Sequence, residues 1–163
     1  MLVSESQARS YQQAWRDAWP DVYEYQRQTG NAIDETGDGR IGVRIDQTGF
    51  ERGGCRYTEA CNTPFQGLAA SGAKRALWEL VKRAIHEDVW SVAFIHDEVL
   101  AEVPIQGASV SAHWQAETMR YTMQNLVPDV KITAEPALMA RWYKESEAVY
   151  DSNKRLVPWS PSK

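Results

Sequence analysis

The sequence predicts an α+β fold in which helices pack on a small antiparallel sheet, and three observations carry that expectation. The stretch from Ser91 to Pro104 consists of two apolar runs that meet at the charged triplet His96-Asp97-Glu98. Each run is rich in β-favouring residues and has the length of a strand, so the pair reads as a β-hairpin carrying His-Asp-Glu at or beside its tip. Elsewhere the apolar residues recur at helical intervals, as Tyr11, Ala14, Trp15, Ala18, Trp19, Val22 and Tyr25 do, and again Leu77, Leu80, Val81, Ala84 and Ile85. With 163 residues, 43% hydrophobic and 25% charged, the chain is long enough for one modest core. Residues 1–149 are expected to form the folded part. Residues 150–163, polar and carrying Pro158 and Pro161, are expected to form a flexible tail.

Taken in order, Ser4-Glu-Ser-Gln7 has the spacing of a capping box and starts a helix near Glu5. Pro20 kinks that helix or opens a second one, and Gly30 reads as its stop. Asp34, Thr36, Asp38 and Gly39 fall at calcium-loop positions, but Ile45 stands where the bidentate glutamate belongs, which leaves a Gly/Asp turn into a short strand or hairpin at Ile41–Ile45. From Arg52 to Asp88 two helical pieces are expected, broken around Asn62 to Pro64. Thr63 as N-cap, Pro64 at the first helical position and Gln66 form a second capping pattern. The small residues Ala69 to Ala73 suit close packing against a neighbouring element. After the hairpin, Ile105 to Leu126 reads as an amphipathic helix, and the alternating run Val130 to Glu135 as a strand beside the hairpin.

Charge and composition narrow the function. The net charge of −4 argues against a strong autonomous nucleic-acid binder, since phosphate attraction supplies most non-specific affinity. Basic residues do cluster locally, with Arg52, Arg56, Lys74, Arg75, Lys82 and Arg83 around the central helix, as a phosphate-tracking strip or a solvated face. Cys55 and Cys61 match no common zinc spacing and read as reduced thiols. No segment near Met1 resembles a signal peptide and no apolar run has spanning length, so a soluble, cytoplasmic protein with no membrane partner is expected. The triplet itself admits two readings. It is either a polar turn between strands or a set of carboxylates held ready for a cation at the end of rigid elements.

Asn62-x-Pro64-x-Gln66-Gly67-x-Ala69-Ala70, followed by a helix and then by an apolar strand ending in His96-Asp97-Glu98, resembles the C-terminal part of the palm in family A DNA polymerases. This is the bacterial DNA polymerase I type with its viral relatives. The run Cys61-Asn62-Thr63, then Phe65-Gln66-Gly67-Leu68-Ala69-Ala70, is closest to the viral variants, for which the location would be the host cell cytoplasm. The resemblance extends from about Ser4 to Trp142 and includes a Gly-Arg hairpin and the terminal aromatics Trp142 and Tyr143.

It implies template-directed nucleotidyl transfer in DNA replication, acting on primer-template DNA and dNTPs. Two magnesium ions, held roughly 3.5 to 4 Å apart by two aspartates, stabilise the attacking and leaving oxygens together in such a reaction. By resemblance Asp97 is the second of those aspartates and Glu98 supports the metal site. His96 would contact the primer end, or else is a turn histidine satisfied by backbone. Asn62 and Gln66 would face the minor groove, where acceptor positions are similar for every correct pair and an amide demands no single sequence; for Gln66 the capping role is the alternative. Thr58 stands where many members have an arginine four residues before the asparagine, so Arg56 takes that DNA-contact role only by proximity, and Ser71 stands where many have Asp.

The first metal-binding aspartate and the nucleotide-holding fingers helix of the family precede the matched region. The resemblance therefore implies a C-terminal palm piece, inactive alone and completed by an N-terminal polymerase polypeptide that carries the missing motifs. Two other roles stay open: a catalytically inert remnant acting as a binding or interaction module, and a small metal-dependent phosphodiesterase built on Asp97, Glu98 and His96.

Overall fold

The computed structural model describes residues 3–161, with the side chain of Ile85 outside the described part. The chain is α+β and divides into two compact units, residues 1–68 and 69–163.

The first unit opens with α1 (Glu5–Ala18), where the Ser4 hydroxyl accepts from the Gln7 backbone N–H and the Gln7 side chain accepts from the Ser4 N–H, closing the capping box. Pro20 starts a separate helix, α2 (Pro20–Thr36), because its missing N–H costs nothing at a first helical position. Gly30 does not end it. The helix runs on to bury Ile33 and terminates at Gly37, whose φ of 75° is the left-handed conformation a helix end favours. Asp38 then bonds the Thr36 hydroxyl and the Arg40 N–H through its Oδ1, an Asx-type turn that leads into β1 (Ile41–Ile45). These bonds, chiefly the one from Thr36, hold the Asp38 carboxyl below its usual range.

β1 pairs antiparallel with β2 (Phe50–Cys55), with Val43 opposite Arg52 and Ile41 opposite Cys55. One extra residue is accommodated on β2 between these pairs, at Gly53-Gly54, and Gly54 takes a φ of 65° there. A bulge of this kind bends the strand and re-aims its side chains. Ile33, Cys55 and Ala60 form the buried cluster of this unit, with Ile41 and Val43 packed on it.

Helix α3 (Tyr57–Glu87) passes from the first unit into the second. In the second unit β3 (Trp90–Ile95) and β4 (Glu98–Glu102) pair antiparallel, with an irregularity between Ser91 and Ala93. The Gln115 side chain of α4 (Ala108–Gln124) donates to the Val99 carbonyl at 2.7 Å and so ties that helix to β4. Ala76, Leu80, Ala84, Val89, Ala116, Leu126 and Leu156 are buried. The two cysteines are free thiols, both buried in the first unit.

The run Val130 to Glu135 is not a strand. Its exposure alternates from Lys131 to Glu135, yet no strand pairs with it: the Val130 N–H turns back to the Val127 carbonyl, and the Gln124 side chain donates to the Val130 carbonyl and accepts from the Ile132 N–H. Alternation reports one-sided burial, and here an amide takes the place of a neighbouring strand. The tail expected to be loose from 150 onward is also paired. Strands β5 (Leu138–Met139), β6 (Val149–Tyr150) and β7 (Leu156–Trp159) form a three-stranded sheet in the order β5-β7-β6, with Leu156 buried and Trp159 stacked on Tyr143 at 5.1 Å.

Candidate functional site

Asn62 and Gln66 lie one helical turn apart on α3, both exposed, and Thr58 continues the same face one turn earlier. The break expected at Asn62 to Pro64 is absent: α3 continues through Pro64. Thr63 is therefore not a cap. Its hydroxyl donates to the Glu59 carbonyl at 2.6 Å, the back-bond of a mid-helix threonine, and the capping role for Gln66 falls with it.

Proline has no N–H, so the Ala60 carbonyl loses its helical donor at Pro64. The Tyr25 hydroxyl of α2 replaces it, reaching the Ala60 carbonyl at 3.3 Å and the Cys61 carbonyl at 3.0 Å. Burial, and then the nearby Cys61 thiol, raise the Tyr25 pKa and keep the phenol a donor. The Tyr25 ring meets Phe65 edge-on at 5.8 Å. One residue past Gln66, Gly67 lets α3 approach the first hairpin: a Cβ there would stand 2.6 Å from Ile45 Cδ1. The amide pair is thus carried by a helix braced on both sides, by a tyrosine and by a strand end.

Arg56 precedes α3 and is exposed. Its backbone N–H donates to Glu59 at 3.0 Å, while the other Glu59 oxygen pairs with Arg52 at 2.8 Å. The Arg56 amide bond, followed by the charges of Arg52, Arg56 and Arg40, holds the Glu59 carboxyl below its usual range. Arg40 donates to the Gly54 carbonyl at 3.2 Å.

In the second unit Ile95 pairs with Glu98, which leaves His96 and Asp97 as the two residues between β3 and β4. All three residues of the triplet are exposed. His96 has a φ of 57°, a sign the common two-residue turns require and one that costs a residue with a Cβ about 1 kcal/mol or more. Among the described residues no group of three or more His, Cys, Asp or Glu side chains could hold a metal ion. Asp97 and Glu98 are therefore a carboxylate pair at a strand end and do not make a two-metal site from this chain's described residues.

The structure puts Arg56, Asn62 and Gln66 in one unit and His96, Asp97 and Glu98 in the other. Sequence reasoning placed Tyr25 only on the apolar stripe of its helix and carried no signal for its bond across to α3, and it gave no role to Arg40, whose guanidinium reaches the Gly54 carbonyl at the bulge. Among the described residues no helix is long and apolar enough to cross a membrane.

Comparison with known proteins adds one finding. No curated protein and no solved structure is matched by the chain. Residues 1–144, nearly all of the sequence, match the family described as DNA polymerase family A. A glutamine-glycine helix followed in order by an apolar hairpin with an acidic turn agrees with that match, and the chain belongs to DNA polymerase family A.

Proposed function

We propose that the chain is the C-terminal palm segment of a DNA-directed DNA polymerase and contributes Asp97 to template-directed nucleotidyl transfer together with a second polypeptide. The observation that carries the reading is the His96-Asp97 turn: an exposed carboxylate fixed at the end of paired strands, beside a histidine in the left-handed region. Backbone strain of this sort persists where the surroundings enforce it, and it clusters at functional sites.

In this reading Asn62 and Gln66 offer amide donors to the minor-groove acceptors of the primer-template duplex, and their spacing of one turn lets them meet successive positions. Arg56 holds the strand through phosphate. Asp97 with Glu98 would share magnesium with a carboxylate supplied by the partner, and the bound ions would neutralise charge on the reacting phosphate. His96 would steady the primer end.

The need for a partner is supported by the apolar outer face of β3, where Trp90, Val92 and Phe94 are 51%, 52% and 43% exposed. A contiguous apolar face is a usual mark of an interaction site. The test is co-expression with a chain carrying the first aspartate and the fingers, followed by primer extension. The pair should extend the primer, the isolated chain should not, and Asp97→Ala in the pair should abolish extension. Undiminished extension after Asp97→Ala would reject the role and favour an inert binding module.

A further inference from the structure

The sheet β5-β7-β6 has two unlike faces, and most of it lies past the residues matched to the family, which end at 144. Val149 stands opposite Val157 and Met139 opposite Trp159, and residues opposite one another on paired strands point to the same side. Tyr150 and Leu156 point to the other side, where the Tyr150 ring meets His113 of α4 at 6.5 Å and Leu156 is buried. The face turned away from α4 therefore carries Met139, Val149, Val157 and Trp159. Tyr143 lies on it, stacked on Trp159 with ring planes 21° from parallel, and is 48% exposed. An aromatic pair held outward on a rigid sheet is surface left for something to cover.

The charges around this face say what that is. Arg141, Lys144, Lys154 and Arg155 are all exposed, and none has a side-chain hydrogen bond or ion pair among the described residues. Of the acidic residues in the same stretch, Glu145, Glu147 and Asp151, the last is committed to the turn: its Oδ1 accepts from the Asn153 N–H at 2.8 Å and the Arg155 N–H at 2.9 Å. That turn fixes Lys154 and Arg155 at the tip between β6 and β7, and strand alternation puts Arg155 on the side of Val157. We propose that this face is a stacking platform for unpaired DNA, with Tyr143 and Trp159 under the bases and Arg155 on the phosphates. A nucleotide offers a ring face and an anion together, which is the chemistry both halves of the surface need. A duplex hides its base faces, an apolar protein surface would leave the four cations without partners, and free phosphate would leave the rings unused. DNA is the strand on which the family acts. The platform stands apart from the Asp97 role and does not depend on it.

The test is fluorescence anisotropy of a labelled oligothymidine of about 12 nucleotides with the full chain, over a sodium chloride series. The wild type should bind it at low salt, and bind an abasic oligomer of the same length more weakly. Tyr143→Ala should weaken oligothymidine binding roughly tenfold, and Tyr143→Phe, which keeps the ring, should bind as the wild type does. Arg155→Ala keeps the backbone N–H of the turn and should lower the salt slope by about 0.7, the value for one phosphate contact on a single strand. Arg9→Ala, which removes a paired cation of α1, should leave the slope unchanged. Four results would each overturn the proposal: no oligothymidine binding by the wild type at low salt, equal affinity for the abasic oligomer, wild-type affinity in Tyr143→Ala with an unchanged circular dichroism spectrum, or a slope lowered as much by Arg9→Ala as by Arg155→Ala. A tenfold loss of blunt duplex binding in Tyr143→Ala, or tighter binding of oligouridine, would reject unpaired DNA as the occupant.

Discussion

Tyr25→Phe isolates the bond that lets Pro64 stay inside a helix. The substitution keeps the ring and its edge contact with Phe65 and removes one hydroxyl, which reaches the Ala60 carbonyl at 3.3 Å and the Cys61 carbonyl at 3.0 Å. Ala60 is 1% exposed, so its carbonyl has no water to bond in the parent fold. An unsatisfied buried carbonyl costs about 1 to 3 kcal/mol, and the parent protein should lose that much stability. In a Pro64→Ala background the new backbone N–H donates to the Ala60 carbonyl. Tyr25→Phe should then cost about 1 kcal/mol less, a coupling typical of groups that share a partner. Pro64→Ala alone should stabilise, because an interior proline disfavours a helix by about 3 kcal/mol relative to alanine. Urea unfolding of the four proteins measures the cycle, with equal m values as the check that the denatured state is unchanged. Equal costs for Tyr25→Phe in both backgrounds would show that the hydroxyl does not compensate for the proline.

Three further outcomes are expected. His96→Gly should raise stability by about 1 kcal/mol in thermal unfolding, since glycine adopts a φ of 57° without strain, and should lower extension in the reconstituted pair. Gly67→Ala should leave a net loss of about 1 kcal/mol in urea unfolding, because displacing the buried Ile45 Cδ1, 2.6 Å from the added methyl, outweighs the roughly 1 kcal/mol that alanine gains over glycine inside a helix. Burial raises the Tyr25 pKa, so the folded state keeps the phenol proton that the unfolded chain gives up near pH 10; stability should be flat below that pH and fall above it. The gap between Tyr25→Phe and its parent should therefore narrow as urea midpoints are followed from pH 9 to 11.

Features written into a few adjacent residues were legible in the sequence. Ser4 with Gln7, and Pro20 at a helix start, act within one turn, and the structure repeats both. The run from Ser91 to Glu102 announces its strands through its own side chains. What was not legible depends on distant partners. Pro64 reads as a helix breaker until Tyr25, 39 positions earlier in the sequence, supplies the missing donor through bonds across 35 and 36 residues. Val130 to Glu135 reads as a strand because its residues alternate, while its Val130 carbonyl and Ile132 N–H are taken by the Gln124 side chain. The Arg40 contribution needs the bulge at Gly53-Gly54, which appears only once Val43 and Arg52 are in register.

The proline inside α3 also carries a rule of assembly. While the segment carrying Tyr25 is detached, the Ala60 carbonyl has no donor and the rod should bend just where the two amides are mounted. Their spacing is then not a property of that rod by itself but is lent to it by the preceding helix, so anything that pries the phenol loose would blunt the reading edge without touching either amide.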